Sequence, residues 1–291
     1  MSLFFGAETK SKENANALVL GLCWDKSSSF RKGSAKAPKA IREYTSSKIY
    51  NSYAENNVNL KDYWKIYDLG DVSPPSLLKA SQKVKEAVSK NANFKLYVFL
   101  GGDHSITYAT LKALKEVLKG SWGLIYFDAH PDLYESYEGN PYSHACTVRR
   151  IIEEGIINPH HIVQIGIRAS TAEQKNYAKN AKIKTVTTSE VYKNAEKAFS
   201  FITQVLDKID NVYVSFDVDV LDPAFAPGVG NPEGGGITLR NLIDVIHNLD
   251  GLSIKALDVV EANPDYDCMG ITFCSISKFI REFLGITATK L

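Results

Sequence analysis

The sequence predicts an α/β protein: three layers, with a central eight-stranded, mostly parallel sheet between helices. Apolar, strand-like runs alternate with helical stretches along the 291-residue chain, which is typical of parallel sheets with helices on both faces. Eight runs have the length and composition of buried strands. They are residues 17–23, 64–69, 95–100, 122–127, 162–167, 183–186, 212–216 and 254–259.

The segments between these runs predict helices. Seven of them carry apolar residues near a 3.6 period, several behind Ser or Thr caps. Pro38 suits the first turn of a further helix, so we expect Phe30–Arg42 to initiate a helix and to take no direct part in chemistry. No repeat or linker divides the chain, and we expect residues 1–291 to form one domain. The seven segments are 77–89, 107–119, 147–154, 172–179, 189–209, 239–249 and 271–284.

Composition excludes several classes of protein. The formal net charge is +1, with Lys and Arg spread along the chain, which argues against a nucleic-acid or polybasic membrane surface. No apolar run approaches a membrane span and the N-terminus does not resemble a signal peptide, so we expect a cytoplasmic protein. The four cysteines form no Cys-x-x-Cys pair, and free thiols in a reducing compartment are expected.

One motif stands at the end of the strand predicted over 122–127. Asp128, His130 and Asp132 follow that strand at alternate positions, so an extended backbone directs all three side chains to the same side. Open α/β sheets place their active sites at the carboxyl edge of the strands. The motif therefore predicts a metal site at that edge.

Three other predicted strands also end in residues that bind metals or cations. His104 follows the third strand, Asp217 and Asp219 end the seventh, and Glu261 ends the eighth. Several buried carboxylates in one cleft repel each other unless divalent cations neutralise them. The sequence therefore predicts cations bound among these strand ends.

The ligand set predicts two ions. We expect Asp128 and Asp217 to bridge them, because six ligands are available for two sites. Carboxylates with two imidazoles and no thiolate favour Mn²⁺ over Zn²⁺, with Fe²⁺, Co²⁺ and Ni²⁺ as alternatives. Two such ions lower the pKa of a shared water, which implies hydrolysis at carbon or phosphorus. The remaining ligands form one pair for each ion, His104 with Asp132 and His130 with Asp219.

The segments Gly101–Ser105, Asp128–Asp132 and Ser215–Pro223 resemble the three signature motifs of the ureohydrolase family, which contains arginases and agmatinases. The motifs stand in family order, and the resemblance runs from about Phe30 to the C-terminus. It implies a three-layer α/β/α fold with an eight-stranded parallel sheet and two Mn²⁺ ions on the six ligands. It also implies a homo-oligomer, either a trimer or a hexamer.

The resemblance also assigns catalytic roles. It places the family's proton-shuttling histidine at His144 and its guanidinium-binding carboxylate at Glu261. A histidine suits protonation of a departing amine, and a carboxylate suits a planar cation with paired N–H donors. With the bridging Asp128, these are the predicted catalytic residues. The implied reaction converts a guanidino compound to urea and an amine.

The substrate prediction rests on the loop of residues 131–144. This loop lacks the Asn- and Ser/Thr-rich pattern of arginases, and it carries Glu135 and Glu138, which we expect to bind the amine at the far end of the substrate. His144 and Glu261 are the residues expected to bind its guanidino end. Agmatine, converted to putrescine and urea in polyamine biosynthesis, is therefore the predicted substrate. Arginase, guanidinobutyrase and formimidoylglutamase activities are the alternatives. A metallophosphoesterase or an inactive partner subunit is less favoured, because the phosphoesterase motifs are absent and all six ligands are present.

Overall fold

The structure, a computed structural model, describes residues 2–90 and 94–288. Nine strands in these residues form one sheet in the order β1-β3-β2-β4-β9-β8-β5-β6-β7, and every pair is parallel. The strands are β1 (Glu8–Thr9), β2 (Ala17–Leu22), β3 (Ile66–Val72), β4 (Leu96–Leu100), β5 (Trp122–Phe127), β6 (Ile162–Ile167), β7 (Lys184–Thr187), β8 (Asn211–Asp217) and β9 (Ile254–Val260).

All eight predicted strands are present, with ends that differ by a few residues at most. The structure adds β1, a two-residue strand that pairs with β3 at the edge of the sheet. Two residues carry no period-2 pattern, so the sequence does not reveal such a strand. The three-layer α/β fold predicted from the sequence is therefore confirmed, with nine strands instead of eight.

The described residues contain ten α-helices. The predicted helix over 189–209 is two helices, because a capping box between Thr187 and Glu190 begins the first and extended backbone at Asn194 ends it. The helices are α1 (Ala37–Tyr44), α2 (Leu60–Tyr63), α3 (Leu77–Ser89), α4 (Ser105–Val117), α5 (Thr147–Glu153), α6 (Ala172–Ala181), α7 (Thr188–Lys193), α8 (Ala195–Leu206), α9 (Leu239–His247) and α10 (Ile271–Ala288).

Two hydrophobic clusters lie on opposite faces of the sheet. Along β4, Val98 and Leu100 belong to one cluster, whereas Tyr97 and Phe99 belong to the other. This alternation follows from the period-2 direction of side chains in a strand. Both faces of β4 are buried under helices. A cleft at this strand is therefore possible at its carboxyl end.

Candidate metal centre and active-site cleft

The four central strands of the sheet carry the predicted site. Their order is β4-β9-β8-β5, and parallel pairing brings their carboxyl ends to one edge. After β4 the chain turns at Gly102, where a Cβ would lie 1.6 Å from the carbonyl oxygen of Trp24. Glycine is therefore required for the turn that places His104 at the N-terminus of α4.

The first predicted ligand group is assembled around the His104 ring. Its Nδ1 lies 2.9 Å from Asp217 Oδ2, 3.1 Å from Asp128 Oδ2 and 3.5 Å from Asp132 Oδ2. Ligand atoms of His104, Asp128 and Asp132 all lie within 4.8 Å of one another. These distances suit four side chains that converge on one cation.

The second group forms around His130. Its Nδ1 lies 3.1 Å from Asp219 Oδ2 and 3.4 Å from Asp128 Oδ1, and ligand atoms of all three residues lie within 4.8 Å of one another. Asp219 is held by the backbone N–H of Ala129, which donates to its Oδ1 at 3.1 Å. Asp128 belongs to both groups, as a bridging ligand would.

The electrostatics of the cluster fit divalent cations. Burial, followed by the charge of Asp128, raises the pKa of Asp132 to about 7. Burial and the neighbouring aspartates raise the pKa of Asp217 well above its usual value. Asp128 Oδ2 is buried and has no hydrogen-bond partner among the described residues. Carboxylates crowded in this way need added positive charge, and hard oxygen ligands with imidazole suit Mn²⁺-like ions.

A buried hydrogen-bond chain orients His104. Its Nε2 lies 2.8 Å from Ser215 Oγ, and Ser215 donates to Asp258 Oδ1 at 2.7 Å. Such a chain behind a ligand histidine directs the other ring nitrogen toward the metal. Sequence reasoning missed both residues, because Ser215 and Asp258 become partners only through the register of β8 and β9.

His144 and Glu261 form a pair beside the ligands. His144 Nδ1 lies 2.9 Å from Glu261 Oε1, which also accepts the backbone N–H of His104 at 2.8 Å. Burial alone would lower the pKa of His144, but the carboxylate of Glu261 outweighs it and raises the pKa to about 9. Glu261 Oε2 is buried without a hydrogen-bond partner in the described part of the chain.

Two of these residues have strained backbones. The φ angle is 49° at Asp132 and 62° at Glu261, in the left-handed region that residues with a Cβ rarely adopt. Such strain persists where the surrounding structure enforces it, and it concentrates at functional sites. The strain therefore agrees with a functional role for both carboxylates.

These residues line a cleft of about 410 Å³. Five of the six predicted ligands contribute to its wall, while His104 is 1% exposed and lies behind them. Sequence reasoning missed most of the remaining wall, which comes from loops and α6 without a recognisable motif. The polar side chains on it, besides the ligands, His144 and Glu261, are Ser29, Tyr134, Tyr137, Ser170, Thr171, Gln174 and Asn231.

The structure does not bring Glu135 and Glu138 to the cleft. Both are exposed and neither belongs to the cleft wall. An antiparallel bridge between Tyr137 and Asn140 makes a tight turn at Glu138, whose φ of 50° places it at the tip. Tyr134 and Tyr137 from the same loop stand at the cleft instead. The acidity of the loop thus faces solvent in this structure.

Comparison with known proteins gives the family. Residues 15–285 match the model of the arginase family. Arginase 1, mitochondrial, of Oryza sativa subsp. indica is 37% identical over 280 residues, which cover 92% of this chain and 80% of that protein. A guanidinopropionase of Pseudomonas aeruginosa is 35% identical (93% and 86% covered). An agmatinase of Halalkalibacterium halodurans is 33% identical (94% and 92% covered).

Solved structures agree with the sequence comparison. The agmatine ureohydrolase of Thermoplasma volcanium superposes with a TM-score of 0.86 at 30% identity, covering 100% of this chain and 96% of that chain. Proclavaminate amidino hydrolase from Streptomyces clavuligerus gives 0.86 at 29% identity, with 94% and 92% covered. The resemblance read from the three motifs is thereby confirmed, and the chain belongs to the arginase family.

Proposed function

We propose that the protein is a binuclear-manganese amidinohydrolase that converts a guanidino compound to urea and an amine. One observation carries the proposal: Glu261 Oε2 is buried and unpaired among the described residues, on the wall of the cleft that also holds five predicted ligands. A guanidinium group supplies the planar N–H donors and the positive charge that such an oxygen lacks.

The six predicted ligands would hold the two ions. Asp128 and Asp217 would serve both sites, His104 and Asp132 would complete the first, and His130 and Asp219 would complete the second. When bound, the two cations supply the charge that activates a water molecule for attack on the guanidinium carbon. The distances around His104 Nδ1 and His130 Nδ1 support Asp128 as a ligand shared by both sites, and they place Asp217 beside His104.

The chain's own groups account for orientation and proton transfer. Glu261 binds the guanidinium N–H groups and so fixes the position of the carbon that is attacked. His144, whose pKa is raised to about 9 by Glu261, carries a proton at neutral pH. That proton passes from the imidazole to the nitrogen of the departing amine, which would otherwise leave as an unstable anion.

Agmatine is the substrate that the charge of the cleft supports best. Among the described residues of the cleft wall, none is Lys or Arg, while several are carboxylates. The two ions would neutralise the aspartate ligands, and His144 is paired with Glu261. A substrate carboxylate would therefore find no Lys or Arg partner on the described wall, whereas an amine end needs none. The proposal of agmatine does not depend on Glu135 or Glu138. L-Arginine is the second candidate, because the plant arginase is 37% identical.

Urea release distinguishes these substrates. The Mn²⁺-loaded protein is given agmatine or L-arginine in parallel, with a sample treated with EDTA as control. We expect faster urea release from agmatine and none after chelation. Preference for L-arginine would contradict the substrate assignment but not the hydrolase. Absence of urea from either compound, and from other guanidino compounds, would contradict the proposed function itself.

The remaining expectations from the sequence are proposals too. We propose that residues 1–291 form one domain and that the protein acts as a homo-oligomer in the cytoplasm. In the described part of the chain, none of the helices has the length and apolarity to cross a membrane. The names of several relatives place them in mitochondria, so fractionation of the source cells is the test of location.

A further inference from the structure

The loop of residues 25–33 lies between β2 and α1 and contributes Ser29 to the cleft wall. Its first part is fastened to the turn that carries His104. The backbone N–H of Ser27 donates to Asp103 Oδ2 at 2.8 Å, and that of Asp103 donates to the Trp24 carbonyl at 2.8 Å. Asp103 is fully buried, so this attachment is shielded from water and rigid.

The end of the loop is fastened to the segment that carries Glu261. The fully buried Asn263 donates from Nδ2 to the carbonyl oxygens of Arg31, at 3.0 Å, and Lys32, at 3.1 Å. The backbone N–H of Gly33 also donates to Asp25 Oδ2 at 2.9 Å, which closes the loop on itself. The loop is therefore held at both ends by the turns that present the site residues.

Between these attachments, two serines hold His144. Ser27 Oγ accepts the backbone N–H of His144 at 3.1 Å. Ser29 Oγ lies 3.0 Å from His144 Nε2, while His144 Nδ1 lies 2.9 Å from Glu261 Oε1. Both ring nitrogens thus have a partner, and the two partners on opposite sides determine the orientation of the ring. Asn231 Nδ2, at 3.4 Å from Ser29 Oγ, extends the same wall of the cleft.

We propose that Ser29 is a positioning residue that fixes the imidazole of His144 against Glu261. The inference rests on the proposed function, in which His144 supplies the proton to the departing amine. Without the Ser29 hydroxyl, Nε2 has no partner on its side, and the ring is free to turn away from Glu261. Ser29 immediately precedes Phe30–Arg42, the segment that the sequence predicts to initiate a helix, and it contributes to the cleft wall.

The chain offers a matched control in the preceding residue. Ser28 stands in the same loop, and its Oγ is buried without a hydrogen-bond partner in the described residues. Replacing Ser28 by Ala removes the same atoms from the same loop but breaks no hydrogen bond. A general effect on loop folding would appear in both variants, whereas a positioning effect would appear only in Ser29→Ala.

Steady-state kinetics form the first part of the test. We expect Ser29→Ala to lower kcat about ten- to a hundred-fold with KM within about two-fold, because the lost bond involves a charged group. Ser29→Thr keeps the hydroxyl and should restore most of kcat, and Ser28→Ala should match the wild type. Equal losses in Ser29→Ala and Ser28→Ala, or no loss in either, would overturn the proposal.

The second part does not need turnover. The ring ¹⁵N resonances of His144 are recorded in the metal-free protein and assigned by their disappearance in His144→Gln. We expect the Nε2 resonance to move in Ser29→Ala and to stay in place in Ser28→Ala. An unchanged resonance in Ser29→Ala would overturn the positioning role. The two proposals can fail separately. If the wild type releases no urea but the Nε2 resonance still moves in Ser29→Ala, the proposed function is contradicted and the positioning role stands.

Discussion

In the described residues, groups of three or more carboxylates and histidines gather at two places, and the two clusters are neutralised differently. The strand-end cluster contains the six predicted ligands. The second, here called the helix cluster, contains Glu55, His247 and Glu282, whose ligand atoms also lie within 4.8 Å of one another. In the helix cluster, Lys278 lies 2.6 Å from both glutamates, and Arg240 lies 2.8 Å from Glu55.

The strand-end cluster lacks ion pairs of this kind in the described part of the chain. Among the described residues, no Lys or Arg forms an ion pair with any of the six ligands, and Arg168 donates to the backbone carbonyl of Asp219 at 2.7 Å. The pKa values follow this difference. Lys278 and Arg240 lower the pKa of Glu55 to about 2, whereas burial raises the pKa of Asp217 and of Asp132. In the same cluster the pKa of Asp219 is lowered despite its burial, because His130 and Arg168 lie near it. Both clusters therefore bring potential ligand atoms close together. They differ in that carboxylates of the helix cluster pair with Lys and Arg, whereas those of the strand-end cluster do not among the described residues, and this difference marks the metal site.

Two His–Glu pairs show the same contrast. His144 lies 2.9 Å from Glu261 and His247 lies 2.9 Å from Glu282. Both oxygens of Glu282 are used, since Oε1 accepts from Lys278 and Oε2 accepts the backbone N–H of Glu55. Glu261 keeps one buried oxygen without a partner among the described residues. The free oxygen of Glu261 can accept hydrogen bonds from a ligand. Glu282 has a partner for both oxygens, so the His247–Glu282 pair is suited to stabilising the fold.

The largest expected effect comes from Asp128, the ligand shared by both metal sites. Asp128→Asn keeps the shape but removes the charge, so we expect loss of bound Mn²⁺ and a fall in urea release of at least about a thousand-fold. EDTA treatment of the wild type should have the same effect, reversed by Mn²⁺. Full activity in Asp128→Asn would contradict the proposal that the strand-end cluster, unlike the helix cluster, binds the metal ions.

Glu282→Gln should act on stability instead. It leaves His247 and Lys278 without their buried carboxylate, and we expect a loss of about 3 kcal/mol in the free energy of unfolding. Urea denaturation of the metal-free protein measures it. Metal content should stay at the wild-type level. The control is Glu86→Gln, which breaks the exposed pair of Glu86 with Lys83 and should cost less than about 1 kcal/mol.

Asp217→Asn should have opposite effects with and without metal. Because the pKa of Asp217 is raised well above its usual value, folding of the metal-free protein at neutral pH includes the cost of protonating a buried carboxylate. Asn avoids that cost, so we expect the metal-free variant to be more stable than the metal-free wild type at neutral pH. With Mn²⁺, the variant should lose the stabilisation that the wild type gains. A lower stability of metal-free Asp217→Asn would contradict the account of repulsion.

The smallest expected effect is a pH dependence from His144. Its folded-state pKa is raised to about 9 from the ordinary histidine value of 6.5, because the carboxylate of Glu261 outweighs the effect of burial. The charged ring therefore stabilises the fold fully below pH 6.5, and this stabilisation is lost as the pH rises toward 9. We expect the stability of the metal-free wild type to fall more steeply over that window than the stability of His144→Gln. Parallel curves would contradict a charged His144 paired with Glu261.

The sequence predicted the parts of the site that local pattern determines. His104, Asp128 and Asp217 stand directly at strand ends, and parallel strands bring their ends to one edge whatever their order. Ser215 and Asp258 become partners only through strand order and register, and Ser29 reaches the cleft through a loop without a periodic pattern. Those contacts are set by tertiary structure, so a single sequence does not reveal them.

The misplacement of Glu135 and Glu138 has a similar origin. The composition of the loop shows that it is acidic, but the direction of its side chains depends on the turn closed by Tyr137 and Asn140. Sequence pattern likewise did not separate α7 from α8, because the interruption at Asn194 is a matter of backbone conformation. Fold class and metal ligands follow from local pattern, whereas the rest of the cleft wall follows from the packing of its loops.

The central claim is that the strand-end cluster holds two ions that share Asp128. The most direct test counts Mn²⁺ per chain by elemental analysis after loading and removal of free metal. The account predicts two ions in the wild type and in Glu282→Gln, one in Asp132→Asn and in Asp219→Asn, and none in Asp128→Asn. A wild type without bound metal, or loss of metal in Glu282→Gln but not in Asp128→Asn, would contradict it.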